Sequence, residues 1–124
     1  MTNDNIGVYE PGRNLSGRAS AAVTGKRFLK ISGNRNGGNI AVAHADAAGR
    51  IAGVAQYDAA SGDLVGIARG NSRVTFVTAG GAIAAFDEVE VGAAGVAIKK
   101  ASGVAVGYAV TAATSGGDAE ISLY

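Results

Sequence analysis

The sequence predicts an all-β fold, a small β-barrel or sandwich preceded by an extended N-terminal arm. From residue 51 onward, short apolar runs alternate with turns that contain glycine. Turn residues spaced roughly every 8–12 positions between β-branched runs are typical of barrels and sandwiches. The runs cover residues 51–55, 64–68, 73–77, 89–91, 96–98, 104–110 and 119–123.

The N-terminal part of the chain predicts an arm and then further strands. Residues 1–18 predict an extended arm, because Pro11 fixes its own φ and pushes Glu10 away from helical conformations. Strands are expected at 21–24, 27–31 and 40–43, and the Asn- and Gly-rich stretch 33–39 is expected to be a loop.

The rest of the chain completes one domain. Alanine-rich residues 79–85 allow at most one short helical turn, because Gly80 and Gly81 disfavour a longer helix. We find no repeat of fixed period. The sequence therefore predicts an arm over 1–18 and a single barrel-like domain over 19–124.

The composition predicts a core of modest stability. The chain has 26 alanines and 20 glycines but only three phenylalanines and four tyrosines. A buried methyl contributes about 0.8 kcal/mol, whereas a buried Val, Ile or Phe contributes roughly 1.5–3 kcal/mol. We therefore expect association with other copies, or with a larger surface, to supply additional burial.

The charges and the termini narrow the classes of partner. The net charge is +1, but residues 1–50 carry +4 and residues 51–124 carry −3. The basic half can face an acidic partner surface, yet it lacks the interleaved aromatics that stack on nucleic-acid bases. No secretory signal and no membrane-spanning segment are expected from the apolar pattern. Zero cysteines exclude a disulfide framework and a thiolate metal site.

The side chains that could do chemistry lack partners, and we expect no enzymatic activity. His44 is the sole histidine, so no zinc site of His and Cys can form. Glu88 and Glu90 are expected to share a solvated strand face, with a salt-bridge patch at an interface as the alternative, while Asp87 points away from that face. Asp58 and Asp63 are expected to stabilise a turn. No Gly-x-Ser-x-Gly or Ser-x-x-Lys motif is present. No cofactor is implied.

Several small-residue segments, taken in order, carry a resemblance to a known family. They include Gly-Val-Ala at 53–55, Ala-Gly-Gly-Ala-Ile at 79–83, Val-Gly-Tyr-Ala at 106–109 and the closing stretch 117–123. In this order and spacing the chain resembles the capsid decoration, or cement, proteins of tailed double-stranded DNA bacteriophages over roughly residues 8–124. It departs from the family pattern at Phe86, where members often have a glycine in the turn.

The resemblance implies a function on the phage head. Such proteins are mainly β, lie on the outside of the assembled capsid, usually as trimers, and bridge neighbouring major capsid subunits. The virion surface is therefore the expected location, after synthesis in the host cytoplasm, with the major capsid protein and further copies as partners. Neither nucleic acid nor a membrane is expected as a partner. The candidate capsid contacts are Tyr9, Pro11, Arg13 and Arg18, and deleting residues 1–12 is expected to weaken capsid binding.

An alternative remains open. The chain could be a stand-alone phage β module that binds a receptor or a carbohydrate. Carbohydrate sites usually need exposed aromatic platforms, and the chain offers few aromatic residues. A glycan array would separate the two functions.

Overall fold

The described part of the chain forms ten short strands, which confirms the all-β prediction. A computed structural model describes residues 2–5, 7–8, 14–71 and 73–124, and the strands and one 3-10 turn lie within them. The elements are β1 (Leu15–Ala19), β2 (Phe28–Asn36), β3 (Asn39–His44), β4 (Gly53–Ala55), β5 (Leu64–Ala68), β6 (Val74–Thr78), β7 (Glu88–Val91), the 3-10 turn (Ala93–Gly95), β8 (Ala97–Lys99), β9 (Gly107–Ala109) and β10 (Asp118–Leu123).

The first five strands close into a barrel. Their order is β1-β3-β2-β4-β5, and β1 closes the barrel by pairing parallel to β3 and antiparallel to β5. Successive side chains of a strand point to opposite faces, so every second residue points into the barrel. Eight residues form the barrel core: Ala19, Val23, Leu29, Val42, Ala55, Ala59, Val65 and Ile67.

The last five strands form a second sheet of the same connectivity. Their order is β6-β10-β9-β7-β8, and each strand pairs antiparallel with its neighbours in this order. A parallel bridge between Ala79 and Ala97 joins the two ends of this sheet. With this bridge included, the strand order of the second sheet is circular, and β6 to β10 occupy the same places in it as β1 to β5 occupy in the barrel.

The two halves also share their strand register. Leu29 pairs with Gly53 in the first half, and Val89 pairs with Gly107 in the second. The eight barrel-core residues have equivalents that are buried in or packed against the core of the second half: Ala79, Ile83, Val89, Ala97, Ala109, Ala113, Ala119 and Ile121. The chain therefore contains an internal structural duplication, in which β6 to β10 repeat the arrangement of β1 to β5.

The duplication has no fixed period in the sequence, so it does not contradict the expectation that no such repeat is present. Leu29 and Val89 are 60 positions apart, whereas Gly53 and Gly107 are 54 positions apart. β2 and β3 themselves are longer than β7 and β8, so ten residues separate the paired Ile31 and Val42 but only five separate the equivalent Val91 and Ala97, which shifts the spacing. Equivalent core positions are also small apolar residues of varying type, so they leave no period in the sequence.

One continuous core joins the halves. Phe28, Val54 and Ala68 of the first half belong to the same cluster as the interior of the second sheet. Because Phe28 precedes the inward-pointing Leu29, its side chain leaves the barrel on the opposite face. The outer face of the barrel thus packs against the second sheet.

The arm and the predicted loop are shorter than expected. Residues 15–18 are not part of an arm, since Leu15–Ala19 forms a barrel strand with two hydrogen-bonded neighbours. The stretch expected to be a loop over 33–39 is mostly strand. It reverses in a two-residue turn at Gly37 and Gly38, whose φ values of 62° and 85° suit a tight hairpin.

The helical turn is displaced from its predicted place. Residues 79–85 form no helix, because Ala79 and Ile83 make β-bridges to other segments. The 3-10 turn lies instead at Ala93–Gly95, where Ala94 and Gly95 have positive φ. Long-range pairing therefore overrides the local alanine content at 79–85.

Candidate functional site

The predicted capsid contacts divide into two groups. Tyr9, Pro11 and Arg13 lie outside the residues that the structure describes. Arg18 lies on β1, is half-buried, and donates from Nη1 to the carbonyl of Gly62 at 2.7 Å. Its guanidinium group also lies beside Gly37 at the tip of the β2–β3 hairpin. Arg18 therefore braces two turns at one end of the barrel.

The described part of the arm is bound to the chain's own fold. The backbone N–H of Asn5 donates to Gln56 at 2.7 Å, and its Nδ2 donates to the carbonyl of Phe76 at 2.7 Å. Its Oδ1 accepts the Phe76 N–H at 3.3 Å, and the N–H of Val8 donates to Val74 at 2.9 Å. Gln56 follows β4 and Phe76 lies in β6, so Asn5 connects the two halves.

Asp58 anchors the beginning of the chain, and so does more than the predicted turn stabilisation. Its carboxylate accepts the backbone N–H of Gly25 at 2.7 Å, the hydroxyl of Thr2 at 2.9 Å and the amide of Asn3 at 3.4 Å. The Gly25 N–H is the main cause that lowers the pKa of Asp58 below its ordinary value. Deleting residues 1–12 would remove these contacts together with those of Asn5.

His44 is a structural acceptor. Its Nε2 accepts the backbone N–H of Thr24 at 2.9 Å. Burial, and secondly the charge of Arg27, lower the pKa of His44. The neutral ring is therefore the form that the fold requires.

The acidic strand face is partly buried. The prediction of a solvated face is wrong for Glu90, which is 6% exposed. Its Oε1 accepts the N–H of Ala101 and, at 3.0 Å, that of Gly103. These bonds, that from Ala101 first, lower the pKa of Glu90. Glu90 therefore holds the loop that follows β8.

An aromatic patch covers one exposed side of the second sheet, formed by Phe86, Tyr108 and Tyr124. The rings of Phe86 and Tyr108 meet edge to face with centroids 5.3 Å apart, and those of Tyr108 and Tyr124 lie 6.2 Å apart. The hydroxyl of Tyr124 donates to Oε2 of Glu88 at 2.7 Å, which is the main cause that raises the pKa of Tyr124. Phe86 is 78% exposed.

The sequence does not predict this patch. Its residues come from the turn before β7, from β9 and from the end of the chain, and antiparallel pairing brings Tyr108 opposite Glu88. The one signal in the sequence is Phe86 at a turn where glycine is usual in the resembling family. The φ of Phe86 is 69°, a conformation that favours glycine.

A basic groove lies on the first barrel and continues towards the second sheet. The groove has a volume of about 380 Å³ and is lined by Lys30, Arg50 and Arg69 with the carboxylate of Asp46. Lys30 is paired with Asp46 at 2.8 Å. A smaller extension reaches Tyr124. The groove offers cations to an acidic surface.

The described residues offer little to a metal ion. No group of three or more His, Cys, Asp or Glu side chains converges among them. None of the helical segments in the described part of the chain has the length and apolar character needed to cross a membrane.

Among known proteins, the chain is similar to a component of a phage head. No protein-family model matches it. No curated protein matches it. Among solved structures it is similar to the head fiber gp8.5 N base of bacteriophage phi29, with 26% identity and a TM-score of 0.76. The match covers 90% of this chain and 92% of that chain. This similarity confirms the resemblance to a phage capsid-associated protein that the sequence indicates.

Proposed function

We propose that the chain is a structural protein of a phage head. It binds the outer surface of the assembled capsid as a homotrimer and stabilises the capsid by bridging neighbouring major capsid subunits. It has no enzymatic role. The observation that carries the proposal is the similarity to the phi29 head fiber base, which extends over nine-tenths of both chains.

The described surface supports a binding role. The exposed groups with evident binding capacity are the cations of the basic groove and the rings of the aromatic patch. A protein that binds only the assembled shell stabilises it by mass action, by about 2.7 kcal/mol per site at 100 times the Kd. Three linked contacts on one trimer add avidity without any further contact type.

Binding to assembled shells, compared with dissociated subunits, tests the proposal. The purified chain is mixed with heads that lack it and, separately, with dissociated major capsid protein, and bound chain is measured by sedimentation. We expect saturable binding to heads and at least about tenfold weaker binding to single subunits, because bridging needs neighbours. Equal binding to both, or no binding to heads, would contradict the proposal.

The arm remains a candidate for the contact with the shell. Because Asn5 and Asp58 tie its beginning to the fold, deletion of residues 1–12 is not a clean test. Charge reversal at Arg13 leaves those contacts in place, so a loss of head binding there would assign the contact. Charge reversal at Arg50 in the basic groove gives a comparison at a second site.

The aromatic patch is the one observation that favours the alternative function. Exposed rings beside the Glu88 carboxylate resemble the platforms on which sugars stack, which suits a stand-alone phage module that binds a carbohydrate or receptor. A glycan array distinguishes the two. A decoration protein gives no signal there and binds heads, whereas the binding module gives a signal that Tyr108→Ala abolishes.

A further inference from the structure

The two halves of the duplication differ at two exposed places. Ile31 and Val91 are equivalent, as are Val42 and Ala97. Ten residues, 32–41, lie between the first pair, but only the five residues 92–96 lie between the second. The first half therefore carries an additional hairpin. The second difference is the aromatic patch.

The additional hairpin carries one cation, Arg35, and its first strand is largely exposed. Every β2 residue from Ile31 to Asn36 is exposed, and Ile31 is 52% exposed. Arg35 donates from Nη1 only to Gly38, its neighbour across the turn, at 2.7 Å. No salt bridge engages Arg35 among the described residues. A hairpin with both faces in water contributes little to a core, so its apolar and charged groups are available to a partner.

Phe86 is unfavourable for the isolated chain, both in its backbone conformation and in the exposure of its ring. Its equivalent in the first half is Lys26, and the N–H groups of both donate to equivalent residues, Ala55 and Ala109. Both have positive φ, 62° for Lys26 and 69° for Phe86. Lys26 is used within the fold, since its Nζ pairs with Asp118 at 3.1 Å. Phe86 instead combines a strained backbone with an exposed ring, and strain of this kind concentrates at functional contacts.

The charges of the two features are complementary. The aromatic patch contains the Glu88 carboxylate and lies within residues 51–124, which carry a net charge of −3, whereas the hairpin lies within residues 1–50, which carry +4. An arginine over an aromatic ring is attracted by the ring quadrupole, most strongly when both are desolvated. Exposed Ile31 on the hairpin adds apolar surface that matches Phe86.

We propose that the β2–β3 hairpin of one copy seats on the aromatic patch of the next copy, with Arg35 against Phe86, Tyr108 and Glu88. Such a contact joins two different surfaces, so it repeats head to tail and closes when the rotation between copies completes a ring. This contact rests on the trimer of the proposed function and specifies its interface.

Phe86→Gly tests the contact with opposite expectations for folding and assembly. Glycine relieves the positive φ, so the variant is expected to remain folded by circular dichroism even though the stability that association supplies is lost. The same variant is expected to lose its trimer, and its mass by light scattering falls to one third. Lys26→Gly is the matched control, because it relieves equivalent strain outside the patch and is expected to keep the trimer.

Charge exchange tests the pairing. Arg35→Glu and Glu88→Arg are each expected to give monomers, and the double variant is expected to recover trimers because each interface again pairs opposite charges. Arg50→Glu, in the basic groove, is the control expected to remain trimeric. A monomeric natural chain, a trimeric Phe86→Gly variant, or no recovery in the double variant would overturn the contact.

The measurements separate this contact from the proposed function. Trimers that depend on Phe86 but do not bind heads would refute the capsid role and leave the interface standing. Phe86→Gly trimers that no longer bind heads would assign the patch to the shell and overturn the contact between copies.

Discussion

Replacement of Phe28 by alanine tests the core that joins the two halves. Phe28 is 0% exposed and belongs to the cluster that fills the second sheet, although its own strand is in the barrel. Phe→Ala in a packed core costs about 3–5 kcal/mol through lost burial and the cavity that remains. Whole domains have about 5–15 kcal/mol of stability, so the loss is a large fraction of the total.

The assay is urea unfolding followed at both halves. The methyl groups of Ile67 and Ile121 are equivalent reporters, one in each half, and NMR resolves them. With a slope of about 2 kcal/mol per molar urea, the midpoint is expected to fall by roughly 1.5–2.5 M for both reporters together. Val110→Ala is the control, because the side chain of Val110 is exposed and lies outside the aromatic patch, and its loss is expected to change stability by no more than about 0.5 kcal/mol.

Two results would refute the reasoning. A loss smaller than about 1 kcal/mol would mean that Phe28 is not packed in a shared core. Separate transitions, with Ile121 unaffected by the substitution, would mean that the halves unfold independently and that the joint cluster has no energetic role.

Three further predictions concern local features. Gly53→Ala and Gly107→Ala are each expected to destabilise by at least about 1–3 kcal/mol in urea titrations, since a new Cβ would lie 2.6 Å from the carbonyl of Ala68 and 2.5 Å from that of Ser122, respectively; unequal effects would contradict their equivalence. Asn5→Ala is expected to cost about 1–3 kcal/mol by the same assay, because it leaves the N–H and carbonyl of Phe76 without the partner they have now; an unchanged midpoint would show that the arm does not hold the halves. Folding lowers the pKa of His44, so as the pH drops the unfolded chain binds a proton before the folded chain does. The contribution of His44 to stability is therefore complete above its ordinary pKa of 6.5 and falls as the pH drops below it. The decrease in stability between about pH 7.5 and pH 5.5 should be absent in His44→Gln, and a persistent decrease would assign it to another group.

Local patterns predicted the strands well. The run at 64–68 became β5 without change, and 119–123 became most of β10. Alternation and turn residues suffice for such elements, because each strand must bury one face. The run at 104–110 gave only a three-residue strand at Gly107–Ala109, although the N–H groups of Val106 and Val110 still donate to Val89 and Glu120.

Pairing between distant segments was beyond local patterns. The parallel contact of β1 with β3 turned residues expected in the arm into a barrel strand. The duplication is hidden because the β2–β3 hairpin changes the spacing and because alanine replaces larger residues, as Ala97 does at the position equivalent to Val42. The aromatic patch likewise depends on three segments that meet only in the folded chain.

The proposed stabilisation of the capsid by this chain is tested most directly by the temperature at which filled heads release their DNA. Heads stripped of the chain are compared with the same heads after it is added back, at a concentration that saturates binding. The account predicts release at a higher temperature from the dressed heads and return to the stripped value when the chain is removed again. Equal release temperatures, despite full occupancy, would contradict it.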